Sequence, residues 1–338
     1  MSVSLNLSGD RRHFLATSAR AAALAGASAL FSSAHAEASA MNDLPIIDTH
    51  QHLWDIQKFK LPWLSSAPEL ARSHVTSDYL EAVRGLPVTK AVYMEVDVDP
   101  TQQVAEAEHL LELCRHPANL TVGAVISGRP ASENFATYMN RYRDNPVIKG
   151  VRQVLHVPET PPGTCLRPEY IRGVRLLGEM GKSFDLCMRP QELRDALRLT
   201  EACPDTRFIL DHCGNADPQA FLRSPERRSG EQPTHEVDAW RRDIEALAGR
   251  SNVICKISGI VARATKGKWK TEDLAPIVNH CLDAFGPDRV VFGSDWPVCT
   301  LVASLRDWVV ALREIIHERP VADQRKLLHD NAARLYKV

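Results

Sequence analysis

The sequence predicts an α/β fold: a (β/α)8 TIM barrel with its active site at the C-terminal ends of the strands. Three observations carry the prediction. Eight short apolar runs recur along the chain, helix-patterned segments lie between them, and several runs end on a histidine or a carboxylate. Eight strand–helix alternations are the count of such a barrel, and its chemistry sits where the strands end.

The runs are Pro45–His50, Lys90–Val96, Leu120–Ile126, Val147–Val154, Ser183–Met188, Arg207–His212, Asn252–Ile257 and Arg289–Ser294. Their continuous Val, Ile and Leu content reads as buried parallel strands. Among the helices, Thr101–Arg115 sets Val104, Ala107, Leu110, Leu111 and Cys114 on one face, with Glu106, Glu108 and Glu112 elsewhere. Thr101, with Asp97 and Asp99, is a candidate cap, and Pro117 follows the helix. Pro190–Ala202 interleaves Leu193, Leu197 and Leu199 with charges, and Thr271–Phe285 stops at Gly286-Pro287. Ser304–His317 and Ala322–Tyr336 close the chain. The longest interval follows the sixth run, is polar and basic around Arg223–Glu231, and reads as a surface loop. A doubly wound open sheet is the competing topology, but no Gly-rich phosphate turn follows the first strand.

The first 36 residues differ in kind. Arg11-Arg12-His13-Phe14-Leu15 precedes an Ala-rich apolar stretch from Ala21 to Leu30, and Ala34-His35-Ala36 offers a small-residue cut site. This is the layout of a secretory signal, and the paired arginines resemble a twin-arginine signal. The expectation is a signal over residues 1–36, a single barrel domain over 37–338, and a periplasmic mature protein.

Composition narrows the partners. The chain has 338 residues, is 44% hydrophobic and 25% charged, and carries a formal net charge of -1. That balance argues against nucleic acid, which needs a basic surface. No apolar run approaches the roughly 18 residues that span a bilayer, so no membrane insertion of the mature chain is expected. A small-molecule substrate is the partner expected, and a homo-oligomer stays open. None of the eight cysteines forms a CxxC pair. Cys187, Cys255 and Cys281 lie in apolar patterns, so buried thiols, at most one bridge and no cysteine metal site are expected.

The chemistry gathers at run ends. The first ends Asp48-Thr49-His50-Gln51-His52, the sixth Leu210-Asp211-His212 and the eighth Gly293-Ser294-Asp295-Trp296-Pro297. Alternate strand residues point the same way, so His50 and His52 can converge on one ligand. With His212 and Asp295 they place three imidazoles and a carboxylate around one mouth. Such a set can bind a divalent cation or deprotonate water directly.

These segments resemble the amidohydrolase-related hydrolases that include sugar-lactone lactonases. The resemblance rests on Ile47-Asp48-Thr49-His50-Gln51-His52-Leu53-Trp54-Asp55, Gly150-Val151-Arg152, Phe184-Asp185-Leu186, Leu210-Asp211-His212, Cys255-Lys256-Ile257-Ser258-Gly259 and Phe292-Gly293-Ser294-Asp295-Trp296-Pro297. L-fuconolactone, L-rhamnonolactone and pyrone-dicarboxylate lactonases are the nearest kinds. The resemblance implies that Asp295 activates the hydrolytic water and that His50, His52 and His212 line the same pocket. It also implies no organic cofactor and at most one divalent ion, with zinc favoured, held by His50, His52, His212 and Asp295. The chain departs from the metal-rich members: its fifth run has no histidine, and its fourth carries Arg152 and Gln153 where a bridging Lys or Glu often stands.

Without a metal, cations must stabilise the oxyanion or bind substrate, and Arg152, Lys256 and Arg189 are the candidates. A salt bridge is the alternative for each. His156 is a candidate for a sugar hydroxyl, and Trp54 and Trp296 for stacking on a ring or packing at the rim. Glu95, among apolar neighbours, needs a partner: a metal, a substrate hydroxyl or Arg152. The reading is a lactone hydrolase, with Asp295 and His212 catalytic. A metal-dependent decarboxylase or amidase is the second reading, and a periplasmic sugar-acid binding protein the third. The signal predicts that mass spectrometry of the periplasmic protein finds a new N-terminus near Glu37, whereas cytoplasmic protein beginning at Met1 contradicts it.

Overall fold

The computed structural model describes Met1 and residues 44–223 and 232–338. The signal expected over residues 1–36 therefore lies, Met1 apart, outside the described residues, as does most of the loop expected at Arg223–Glu231. Eight strands form one parallel sheet in sequential order: β1 (Ile46–Gln51), β2 (Val88–Met94), β3 (Thr121–Ser127), β4 (Ile148–Val154), β5 (Ser183–Cys187), β6 (Arg207–Leu210), β7 (Val253–Ile257) and β8 (Val290–Phe292). After each comes a helix: α1 (Thr76–Ala82), α2 (Gln103–Arg115), α3 (Phe135–Asn140), α4 (Pro168–Glu179), α5 (Leu193–Ala202), α6 (Val237–Ala248), α7 (Thr271–Phe285) and α8 (Leu305–Ile316). Each run read from the sequence overlaps a strand.

The sheet closes between β1 and the chain leaving β8. Asp295 N–H donates to the His50 carbonyl and His52 N–H to the Trp296 carbonyl, both at 2.8 Å. Thr49 Oγ1 donates to the Phe292 carbonyl at 2.7 Å. The buried Asp48 carboxylate accepts from Ser294 N–H at 2.8 Å, Ser294 Oγ at 2.5 Å and Tyr79 of α1 at 2.9 Å. Burial raises the Asp48 pKa, and these bonds oppose the rise. Gly293 makes the approach possible, because a Cβ there would lie 2.6 Å from His50 Cβ.

One end of the barrel is filled by apolar side chains. Ile47, Val92, Met94, Val125, Ile209, Ile254 and Val291 pack with Ala332 and Tyr336 of the C-terminal helix Asn331–Tyr336. Arg207, at the start of β6, donates to the Leu335 carbonyl, so this helix covers the N-terminal ends of the strands. The opposite ends are left for chemistry. Full burial of each large side chain contributes about 1.5–3 kcal/mol.

Three local expectations change. Asp99 caps the 3-10 turn Pro100–Gln102 that leads into α2, its carboxylate accepting from Thr101 N–H and Oγ1, while α2 itself starts after Gln102 without a side-chain cap and Asp97 pairs with Arg129. Glu106 is buried: Tyr93 O–H and Val96 N–H donate to it, and burial pushes its pKa up to about 8. The last helix is not continuous, because Val321–Arg325 passes through a π-turn at Lys326–Asp330, where Arg325 reaches Asp330 five residues on.

An aromatic cluster backs the seam. The His74 ring lies 4.8 Å from Trp54 and 5.6 Å from Trp296, centroid to centroid, and neither ring nitrogen has a hydrogen-bond partner among the described residues. Burial lowers its pKa from 6.5 to about 4, with the Arg72 charge adding to the effect. The unfolded chain therefore takes up a proton first, and this site's contribution to stability declines as pH falls from about 6.5 towards about 4. His74→Phe should lose less melting temperature than wild type between about pH 7 and pH 5; an equal loss in both proteins contradicts this account.

Candidate active site

The seam delivers three of the site residues. His52 Nε2 lies 3.3 Å and His50 Nε2 3.6 Å from Asp295 Oδ1, with Asp295 nearly buried. Asp295 has a left-handed backbone, φ 57°. Such a conformation costs a non-glycine residue roughly 1–2 kcal/mol and persists only where its surroundings hold it. The His52 Nδ1 contact with the Met94 carbonyl, 3.0 Å away, requires a proton on Nδ1.

The fourth residue comes from β6. His212, Cys213, Gly214 and Asn215 all have positive φ, a left-handed turn straight after the strand. Trp240 Nε1 donates to the Cys213 carbonyl at 3.0 Å, and Asn215 Nδ2 to the Met188 carbonyl at 2.8 Å, which holds the turn. His212 Nδ1 is 2.9 Å from Ser258 Oγ. Gly259, at φ 68°, is required beside it, because a Cβ would stand 2.2 Å from His212 Nδ1. The rings of His50 and His212 are 4.5 Å apart. Burial lowers the pKa of both, that of His50 strongly with help from the Lys256 charge. Both imidazoles are therefore neutral near pH 7.

Beneath these rings runs a chain of buried charges. Arg152 Nε lies 2.7 Å from Glu95 Oε1, and Arg152 Nη2 donates to the Glu95 carbonyl at 2.8 Å. Arg152 Nη1 is 3.3 Å from His50 Nε2 and 3.6 Å from Asp211 Oδ2. Lys256 Nζ sits between Asp185 Oδ2 at 2.8 Å and Asp211 Oδ1 at 2.9 Å. Burial raises Asp211, but Lys256 and His50 outweigh it and hold that carboxyl well below its usual range. Burial lifts Asp185 to about 7 against the pull of Lys256.

The sequence-derived candidates sort accordingly. His50, His52, His212, Asp295 and Arg152 come together. His156 is exposed, two residues beyond the end of β4. Four of the substrate-binding candidates are packed against the protein's own groups. Lys256 is fully buried between two carboxylates, and Glu95 is fully buried on Arg152 and on Asp97 N–H. Trp54 is buried, its Nε1 on the Arg72 carbonyl and its ring on Trp63 and His74. Trp296 is buried with its ring against His74 and Tyr79. Arg189 pairs with Glu192 and the Val157 and Thr160 carbonyls, the salt-bridge alternative.

Sequence reasoning missed the roles of Asp211, Asp185, Ser258 and Asp48. Lone carboxylates inside the apolar runs Ser183–Met188 and Arg207–His212 were the available signal. All eight cysteines are free, and the sulfurs of Cys213, Cys255 and Cys281 lie within 4.8 Å of one another.

The donor set fits a divalent cation. One ligand atom each from His50, His212 and Asp295 falls within 4.8 Å of the others, and the two imidazoles are neutral, as metal ligands must be. The permanent charge of Arg152 beside His50 disfavours a second ion. The buried pair itself is testable. Breaking such a pair typically costs about 3–5 kcal/mol because a charge is left unpaired. Glu95→Leu should lose about that much in urea denaturation, and a loss under about 1 kcal/mol shows that Arg152 has another partner.

Residues 47–338 match the family described as Amidohydrolase. The chain is 29% identical to an uncharacterized protein, y4mH, of Sinorhizobium fredii, over 88% of this chain and 100% of the relative. It is 27% identical to an L-fucono-1,5-lactonase of Burkholderia multivorans, over 86% and 95% of the two chains. Among solved structures it is similar to a Burkholderia multivorans amidohydrolase crystallised with bound zinc, with a TM-score of 0.74, 23% identity and coverage of 87% and 99%. A match that runs from β1 to the last residue, on a barrel whose strand ends carry His50, His52, His212 and Asp295, makes this chain a member of the amidohydrolase family.

Proposed function

We propose that the protein hydrolyses a lactone, a cyclic ester of the sugar-acid type. The observation that carries this reading is the Asp295 carboxylate, held in a left-handed turn with His50 and His52 within 3.6 Å. The kinship to a lactonase of sugar acids supports the substrate class.

The chain's own residues suffice to describe the proton path. Asp295 accepts a proton from water, and the hydroxide attacks the ring carbonyl carbon. Charge then develops on the carbonyl oxygen, where the neutral His212 is the donor at hand. Collapse of the tetrahedral intermediate breaks the ring C–O bond, and the proton on Asp295 passes to the leaving alkoxide, which opens the lactone to a hydroxy acid. His52, its tautomer set by the Met94 carbonyl, orients the water beside Asp295. A divalent ion, zinc being the favoured one, would be held by His50, His52, His212 and Asp295 and would supply polarisation of the carbonyl.

A decarboxylase of the same family is less well supported. It needs a free cation to clamp a carboxylate, and the guanidinium at the centre, Arg152, is already paired with Glu95 and Asp211. Sugar-acid binding alone gives no reason for the strained Asp295. The Arg11-Arg12 signal supports a periplasmic location for the activity.

A pH-indicator screen of sugar lactones, with and without chelator, tests the reading. On a turned-over lactone, Asp295→Asn should lower kcat by about 10²–10⁴-fold, the usual worth of general acid–base catalysis, with KM little changed. Activity of Asp295→Asn within about threefold of wild type removes Asp295 from this role. Two ions per active chain in elemental analysis contradict the single-ion site.

A further inference from the structure

We infer that Cys213, Cys255 and Cys281 form a separate metal site, which takes one soft monovalent cation, copper(I), on three sulfurs. The site lies between the sheet and the helix layer and is independent of the hydrolytic reading above. No CxxC spacing links the three cysteines, so the sequence predicts no such site.

Each sulfur comes from a different element. Cys255 stands in the middle of β7, Cys281 on the buried face of α7, and Cys213 in the left-handed turn after β6. Side chains alternate along β7, so Lys256 joins the charge chain inside the barrel while Cys255 faces outward to Cys281. The turn divides its residues in the same way. His212 stands beside His50, 4.5 Å from ring to ring, and the Cys213 thiol meets Cys255 and Cys281. All three are free thiols with no solvent exposure, and their sulfurs lie within 4.8 Å of one another. The Lys256 carbonyl, 3.9 Å from Cys213 Sγ, is only a weak acceptor for that thiol.

The arrangement suits one kind of ion. Three bonds of about 2.3 Å from sulfur to a central ion set the sulfurs about 4.0 Å apart in a trigonal plane. The limit of 4.8 Å admits that spacing. Thiolates are soft ligands that select copper(I), zinc or iron–sulfur clusters. Zinc takes four protein ligands, or three and a water, and the clusters are held by four cysteines. Among the described residues no histidine, carboxylate or fourth cysteine joins the three, and a site without solvent exposure has no open position for water. Copper(I), satisfied by three sulfurs, is the ion that remains. One copper(I) that displaces one thiol proton leaves the site neutral, as burial requires. The bound ion ties the turn that carries His212 to β7 and α7.

The test uses the full chain, produced in copper-supplemented cells and purified without air beside a copper(I) chelator that strips loosely held ions. Elemental analysis should find about one copper per chain, and absorption at the copper X-ray edge should find three sulfur neighbours at about 2.3 Å. Elemental analysis names the element, so this copper is counted apart from a divalent ion at the mouth. Cys281→Ala and Cys255→Ala, made separately, should each keep less than about a tenth of the copper. Cys165→Ala, at a buried cysteine elsewhere, should keep all of it. Cys281→Val preserves the packing of α7 and reads the same loss if the alanine variants do not fold. Wild type without copper overturns the inference, as does copper held on fewer than three sulfurs or retained in full by a folded Cys281 variant. A disulfide among the three, seen as fewer than eight thiols in the denatured wild type, overturns it as well.

Discussion

The site depends on the closure of the barrel between β1 and β8. Asp48 is the residue that makes this seam, since its carboxylate takes both hydrogen-bonding groups of Ser294 and the Tyr79 hydroxyl. With His50 N–H as well, the carboxylate has four buried donors and is well satisfied, whereas the same donors without it would be left unpaired in the core. The seam sets how far His50 and His52 stand from Asp295, because these residues exchange backbone hydrogen bonds across it. Closure of the fold and assembly of the reactive residues are one event.

The second constraint is the cost of buried charge. Glu95, Arg152, Asp211, Lys256 and Asp185 are nearly or fully removed from solvent, and each is tolerable only because the next lies within reach. Such a chain is a poor source of stability compared with apolar packing. Its consequence is directional: it holds guanidinium and carboxylate on opposite sides of the His50 ring. The apolar cluster at the other end of the barrel provides the stability that this end lacks.

Strain is concentrated in the same region. Asp97, His212, Cys213, Asn215 and Asp295 have left-handed backbones, and all five follow the C-terminal end of a strand. Two of these turns bring His212 and Asp295 beside His50. The rigid partners are elsewhere: the Trp240 indole and Asn215 amide for the turn of His212, and the seam for that of Asp295. Reactive geometry is thus held by residues with no part in the chemistry.

The fold class, the order of eight strands and the four residues at the mouth are legible in the sequence. They can be read there because these are local signals: a continuous apolar run is a buried strand, and a histidine or aspartate at its end can face only the loop side. Tertiary structure alone decided which charges meet. Arg152 and Glu95 are 57 positions apart, and Lys256 and Asp185 are 71 apart, so no spacing rule pairs them. The same holds for Trp54 and Trp296, which share an aromatic cluster through His74. Glu106 was missed because helical periodicity ranks a glutamate as solvent-facing, and only the fold brings Tyr93 and Val96 to it as donors. Periodicity reports which face of an element is apolar. The partner of a buried polar group is set by closure of the barrel, because that is what brings distant strand ends within hydrogen-bonding distance.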